Sequence, residues 1–201
     1  MGLGMLLGVV FLLLLASVPL AGGRLSALGE LPLRMPGLAI AGILAQVLIV
    51  SIAPDGLGGV QAGVHLLSYV LLGGCAWANR RIPGVGLVAL GGLANAIAIV
   101  ANGGVMPLDP DLVVHASQAG GHGFVNSGVV AHPRLAFLGD VFATPRDWPM
   151  ANVYSVGDFV IVLGVAILLH RVCASRLLAW WPPGRRVVAH GRAPTPGRVR
   201  S

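Results

Sequence analysis

Five apolar stretches, each bounded by residues that stop helices, constrain this chain more than anything else in it. Gly2–Leu20, Gly37–Ala53, Val60–Ala78, Val85–Ala101 and Val153–Leu169 run 17 to 19 residues each, and Asp158 is the only formal charge within them. A helix crossing the hydrocarbon core of a bilayer needs roughly 20 apolar residues, with about 17 as the lower limit. Pro19 with Gly22 and Gly23, Pro36, Pro54 with Asp55 and Gly56, and Arg80 with Arg81 and Pro83 separate the stretches. With 56% hydrophobic and 10% charged residues and a mean hydropathy of +0.85, a soluble domain is a poor fit. The pattern predicts an all-α membrane protein: a bundle of about five transmembrane helices, with a long exported loop between helices 4 and 5.

Arginine placement predicts the orientation, because short cytoplasmic loops accumulate basic residues. Arg24 and Arg34 lie in the first loop, Arg80 and Arg81 in the third, and seven of the thirteen arginines from Arg171 onward, whereas the segment 102–152 holds Arg134 and Arg146 beside Asp109, Asp111, Asp140 and Asp147. The expected protein is multi-pass in a bacterial plasma membrane, with its N-terminus outside and its C-terminus cytoplasmic. The first stretch lacks the basic residues that precede a signal peptide's apolar run, and removing it would invert every later loop. Residues 1–172 are thus expected to form the membrane domain. Residues 173–201 are expected to form an interfacial helix, marked by Trp180 and Trp181, and a disordered basic tail. Net charge of +6 resides mainly in that tail, so anionic inner-leaflet lipids are its expected partner rather than nucleic acid.

A connection of about fifty residues is too long to be a simple link. Within it, Leu108–Ala119 is expected to form a short amphipathic helix, Ala119–Gly128 a glycine-rich stretch, and Arg134–Phe142 a turn or two of apolar helix. His115, His122 and His132 lie there without metal-ligand spacing, and no cofactor motif is present. Cys75 and Cys173 read as reduced structural thiols.

Polar residues inside apolar helices are costly and tend to face a bundle interior or a water-filled cavity. Gln46, His65, Asn95 and Asp158 are these residues. At 1.5 Å rise per residue, His65, Asn95 and Asp158 fall about 8–9 Å below one common boundary, and Gln46 slightly deeper, which suggests a polar pocket opening toward the long loop. Gln61, His65 and Ser68 make one polar stripe with Tyr69 beside it. The plainer alternative is that these side chains only lock the bundle through interhelical hydrogen bonds. Ser155–Val156–Gly157–Asp158 also has capping-box spacing, and Asn102–Gly103–Gly104–Val105–Met106–Pro107 reads as a helix stop.

The combination of Asn95, the Asn102–Pro107 stretch, Leu138–Gly139–Asp140 and Tyr154–Ser155–Val156–Gly157–Asp158 resembles a family of small five-span bacterial membrane proteins catalogued only as a domain of unknown function. The resemblance singles out Asn102, Gly103, Gly104, Met106, Pro107, Gly139, Asp140, Ser155 and Gly157, together with Asp158. It implies a layout covering most of the chain and no reaction, substrate or cofactor.

The function expected from these features is binding or transport of a small polar solute through the outward-facing pocket. An assembly partner or scaffold, as a homo-oligomer or with another membrane protein, is the alternative, suggested by glycine-rich helix faces such as Gly4 with Gly8 and Gly91 with Gly92. An intramembrane enzyme acting on a lipid-linked substrate is a third reading, and the absence of any catalytic motif weighs against it.

Overall fold

The computed structural model describes residues 2–52, 59–113, 127–145 and 152–178. Its helices are α1 (Gly2–Leu20), α2 (Pro36–Ile52), α3 (Gly59–Ala78), α4 (Val85–Ala101) and α5 (Val156–Val172). Among the described residues there are four short strands: β1 (Met106–Pro107), β2 (Ser127–Gly128), β3 (Asp140–Ala143) and β4 (Val153–Ser155). β1 and β2 pair in parallel, and β3 and β4 pair antiparallel with Asp140 opposite Ser155.

This architecture corrects the expectation of an all-α bundle of transmembrane helices. Among the described residues no helix is long and apolar enough to cross a membrane. At 1.5 Å per residue, the 17-residue helices α2, α4 and α5 rise about 26 Å and the 19-residue α1 about 28 Å, which leaves no margin against a core about 30 Å thick. The 20-residue α3 reaches that length but carries His65, Ser68 and Tyr69 along its course. Strands also occupy parts of the chain expected to be helical or loop. The apolar turns expected over Arg134–Phe142 are a 3-10 turn at Ala136–Leu138 followed by β3, and the last helix begins at Val156 because Val153–Ser155 is β4. Of the helix expected over Leu108–Ala119, the described part holds a 3-10 turn at Pro110–Leu112, where the Asp109 carboxylate accepts from the Asp111 N–H at 3.0 Å, and residues 114–119 lie outside the described residues. His115, His122, most of the glycine-rich stretch, Trp180, Trp181 and the basic tail lie outside the described residues.

Glycines on facing helices let α4 and α5 pack closely, running antiparallel. A Cβ on Gly91 would collide with the Gly157 carbonyl and come within 2.8 Å of Ile161 Cγ1, and a Cβ on Gly164 would meet the Val88 nitrogen at 2.7 Å. Small residues allow two backbones to approach where larger side chains would hold them apart. α2 packs on α3, and α3 on α4. α1 docks on α5 through Val18, Leu169 and Cys173.

A polar bridge fixes that second contact. Ser17 Oγ donates to the Leu14 carbonyl at 2.6 Å, so its 3.1 Å contact with His170 Nε2 requires the imidazole to donate. Nδ1 meets Ser175 Oγ at 2.7 Å, so both ring nitrogens are hydrogen-bonded.

Two asparagines close helices by the same device. Asn79 Nδ2 donates to the carbonyls of Cys75 (2.8 Å) and Arg34 (2.7 Å) while Oδ1 accepts from Arg34 N–H at 2.9 Å. Asn102 Nδ2 donates to Ala98 (2.7 Å) and Arg134 (2.8 Å) carbonyls, and Oδ1 accepts from Arg134 N–H at 2.8 Å. The residues after the clamped arginines, Met35 and Leu135, have φ of 55° and 53°. Left-handed backbone at a residue with a Cβ costs roughly 1–2 kcal/mol. Two hydrogen bonds per clamp, each worth about 1 kcal/mol, offset that strain and pin distant loops to helix ends.

Candidate functional site

The site grows from the start of α5. Ser155 is extended, so its hydroxyl can accept from the Asp158 N–H at 3.1 Å while Asp158 Oδ2 accepts from the Ser155 N–H at 2.9 Å, completing a capping box. Asn95 of α4 joins both partners: its Nδ2 donates to Asp158 Oδ1 at 2.9 Å, and its Oδ1 accepts from Ser155 Oγ at 2.9 Å. Gly157 permits this, because a Cβ there would overlap the Asn95 amide. Asn95 and Ser155 are buried at 6% and 0% exposure. Both ends of the Asn95 amide are therefore committed to holding Asp158.

Asp140 approaches from β3. It is 5% exposed, and its carboxylate accepts from the Ser127 hydroxyl of β2. Burial pushes its pKa up to about 6; the Ser127 hydrogen bond partly offsets this, and the negative charge of Asp158 adds to it. Gly139 makes the approach possible, since a Cβ there would collide with the Pro107 carbonyl. Pro107 and Met106 are buried in β1, and Met106 packs with Ala98, Ile99, Tyr69 and Leu138. Gly103 and Gly104 hold φ of 69° and 97°, and the Gly104 N–H reaches back to the Ile99 carbonyl at 2.8 Å. This turns the chain out of α4 into β1.

His65 is 7% exposed and meets Tyr69 edge to face at 5.1 Å between ring centroids. Tyr69 lies within the electrostatic reach of both Asp140 and Asp158. Asn95 and Asp158 thus meet directly, and His65 packs on Tyr69. Gln46 is half-buried on α2, the helix that packs on α3. No group of three or more His, Cys, Asp or Glu residues among the described residues could hold a metal ion.

Residues 30–170 match the sequence model of a family of unknown function, DUF5317. The chain belongs to the DUF5317 family. In this DUF5317 member the matched region contains α2 to α4, most of α5 and each strand among the described residues. Comparison with curated proteins and with solved structures finds no match.

Ser127, Tyr69 and Gly164 have roles that reading the DUF5317 sequence did not assign. Ser127 lies within the glycine-rich stretch Ala119–Gly128 and has no spacing relation to Asp140. The seven-residue spacings Gly84–Gly91 and Gly157–Gly164 were the available signal for the α4–α5 seam.

Proposed function

We propose that this protein is a membrane-associated binding protein for a small polar solute carrying hydrogen-bond donors or a positive charge, taken up at Asp140 and Asp158. The observation that carries this reading is a nearly buried carboxyl group, Asp140, kept within the field of a second carboxylate that the Asn95 amide and the Ser155 N–H hold in place. A buried carboxyl in the field of a second one is a costly arrangement for stability alone, and perturbed acids of this kind concentrate at binding and catalytic sites. A donor-rich or cationic solute would relieve both charges. Asn95 serves in this reading as a positioning residue, since its amide is consumed by Ser155 and Asp158.

The membrane part of the reading is supported by the helix surfaces. Leu12, Leu13, Ile40, Val70, Leu90 and Leu163 are each 53% exposed or more, and apolar surface on this scale ordinarily contacts lipid or protein. The scaffold reading draws less support, because Gly91 is already used between α4 and α5.

Equilibrium dialysis of the purified full chain against small protonated amines and neutral polyols tests the binding reading. At least one solute should bind, about tenfold or more weaker to Asp140→Asn; a panel on which wild type binds nothing removes the proposal. Co-sedimentation of the full chain with lipid vesicles is expected, and its recovery in the supernatant would remove the membrane part alone.

A further inference from the structure

Contacts between helix ends gather arginines on one side of the molecule. Asn79, after α3, clamps the Arg34 backbone ahead of α2, and the turn carrying Arg80 and Arg81 leads into α4. The start of α4 lies against the last turns of α5, since a Cβ on Gly84 would come within 2.6 Å of the Leu168 nitrogen. Beyond the helices, the Arg24 N–H donates to the Cys173 carbonyl and the Arg176 N–H to the Ala21 carbonyl, each at 2.9 Å. Arg24, Arg34, Arg80, Arg81, Arg171 and Arg176 therefore share one end of the molecule, where Glu30 is the only acidic residue among those described. Asp109, Asp111, Asp140 and Asp158 lie at the other end, with Arg134. Eleven residues of α4 separate the Gly84 contact from Asn95, about 16 Å along the helix.

The basic end also presents apolar side chains. Arg171 is half-buried and the other five arginines are exposed, while Leu20, Leu33, Met35 and Trp77 are each 49% exposed or more. The Arg80 guanidinium lies 4.6 Å from the centroid of the Trp77 ring, and its Nη1 donates to the Trp77 carbonyl at 2.9 Å. That contact holds a cation and an indole together at one level. A soluble polyanion would neutralise the arginines and leave Leu20, Leu33, Met35 and Trp77 in water. An anionic bilayer surface takes both, with phosphates on the guanidinium groups and the apolar side chains at the acyl boundary.

We infer that this basic end docks on an anionic phospholipid surface, with Arg34, Arg80 and Arg81 against headgroup phosphates and Trp77 at headgroup depth. This rests on the membrane-associated reading above and adds to it a lipid class and an orientation. The same surface repels the carboxylates of Asp109, Asp111 and Asp158, so the Asp140–Asp158 site faces away from it.

A full chain carrying Trp148→Phe, Trp180→Phe and Trp181→Phe keeps Trp77 as its one tryptophan, so emission reports this end alone. With vesicles of equal parts phosphatidylglycerol and phosphatidylcholine, Trp77 emission should shift to the blue and be quenched by brominated lipid. Raised salt should weaken the binding. Each arginine near such a surface strengthens partitioning about fivefold, so Arg34→Gln, Arg80→Gln and Arg81→Gln together should weaken it about a hundredfold. Arg134→Gln, at the opposite end, should leave it unchanged. Binding to the anionic vesicles with Trp77 emission unaltered would place the contact elsewhere on the chain and overturn the inference. Equal partitioning onto pure phosphatidylcholine would overturn it while sparing the membrane-associated reading, and sedimentation with neither vesicle would remove both. Tighter binding to a single-stranded oligonucleotide than to the anionic vesicles, lost in the triple arginine variant, would assign this end to nucleic acid instead.

Discussion

Gly157→Ala should destabilise the protein by about 3 kcal/mol or more, read as a shift in the midpoint of denaturant unfolding. A Cβ at this position overlaps the Asn95 amide and comes within 2.7 Å of the Gly91 carbonyl. Neither obstacle is the free end of a flexible side chain: one is backbone, and the other is fixed by Ser155 and Asp158. Relief requires α4 and α5 to separate, and overpacking that moves backbone typically costs 1–3 kcal/mol and occasionally more. Gly92→Ala is the matching control. A Cβ on Gly92, one residue from the seam, meets nothing within 4 Å, so that substitution should be neutral or stabilising by up to about 1 kcal/mol through helix propensity. Equal losses at Gly157 and Gly92 would show that helix contact, and not general intolerance of glycine replacement, had been misassigned.

Asp140→Asn should stabilise the protein at pH 7.5 and leave it unchanged near pH 3. Burial raises the folded-state pKa from 3.8 to about 6, so the favourable contribution of the protonated carboxyl is complete below the unfolded value. It is lost as pH rises through the folded value. Two units correspond to about 3 kcal/mol at most. Wild-type stability should therefore decline between about pH 4 and pH 6 from this group, while Asn, which can still accept from Ser127, holds its value. Thermal unfolding of both proteins across that range measures the difference. A variant less stable than wild type at pH 7.5 would mean that the charge-assisted Ser127 hydrogen bond outweighs desolvation.

The helical elements were legible in the sequence because each apolar run ends in its own stop signal. Val85–Ala101 forms a helix over those residues, and Asn102–Gly103–Gly104 ends it with two positive-φ glycines. Ser155–Val156–Gly157–Asp158 specifies its capping box over four consecutive residues, a local arrangement that spacing alone can reveal. The transmembrane reading is corrected: apolar runs of 17 to 19 residues leave no margin above the shortest span, and among the described residues no helix is long and apolar enough to cross a membrane. The strands escape sequence reading because two to four residues are too few to carry a period-2 pattern.

What the sequence determined by itself was therefore local: where helices begin and end, which positions carry polar groups on apolar helices, and that Asn95, Asp140 and Asp158 are chemically conspicuous. The tertiary structure decided which of them meet. Asn95 reaches Asp158 across 63 residues of sequence, and Ser127 reaches Asp140 across 13. Asn79 and Asn102 bind arginine backbones 45 and 32 residues away. Such partners leave no trace in periodicity or spacing, because a hydrogen bond between distant residues depends on the relative placement of whole elements. Here that placement is set by glycine seams and asparagine clamps whose effect appears only once the helices are packed.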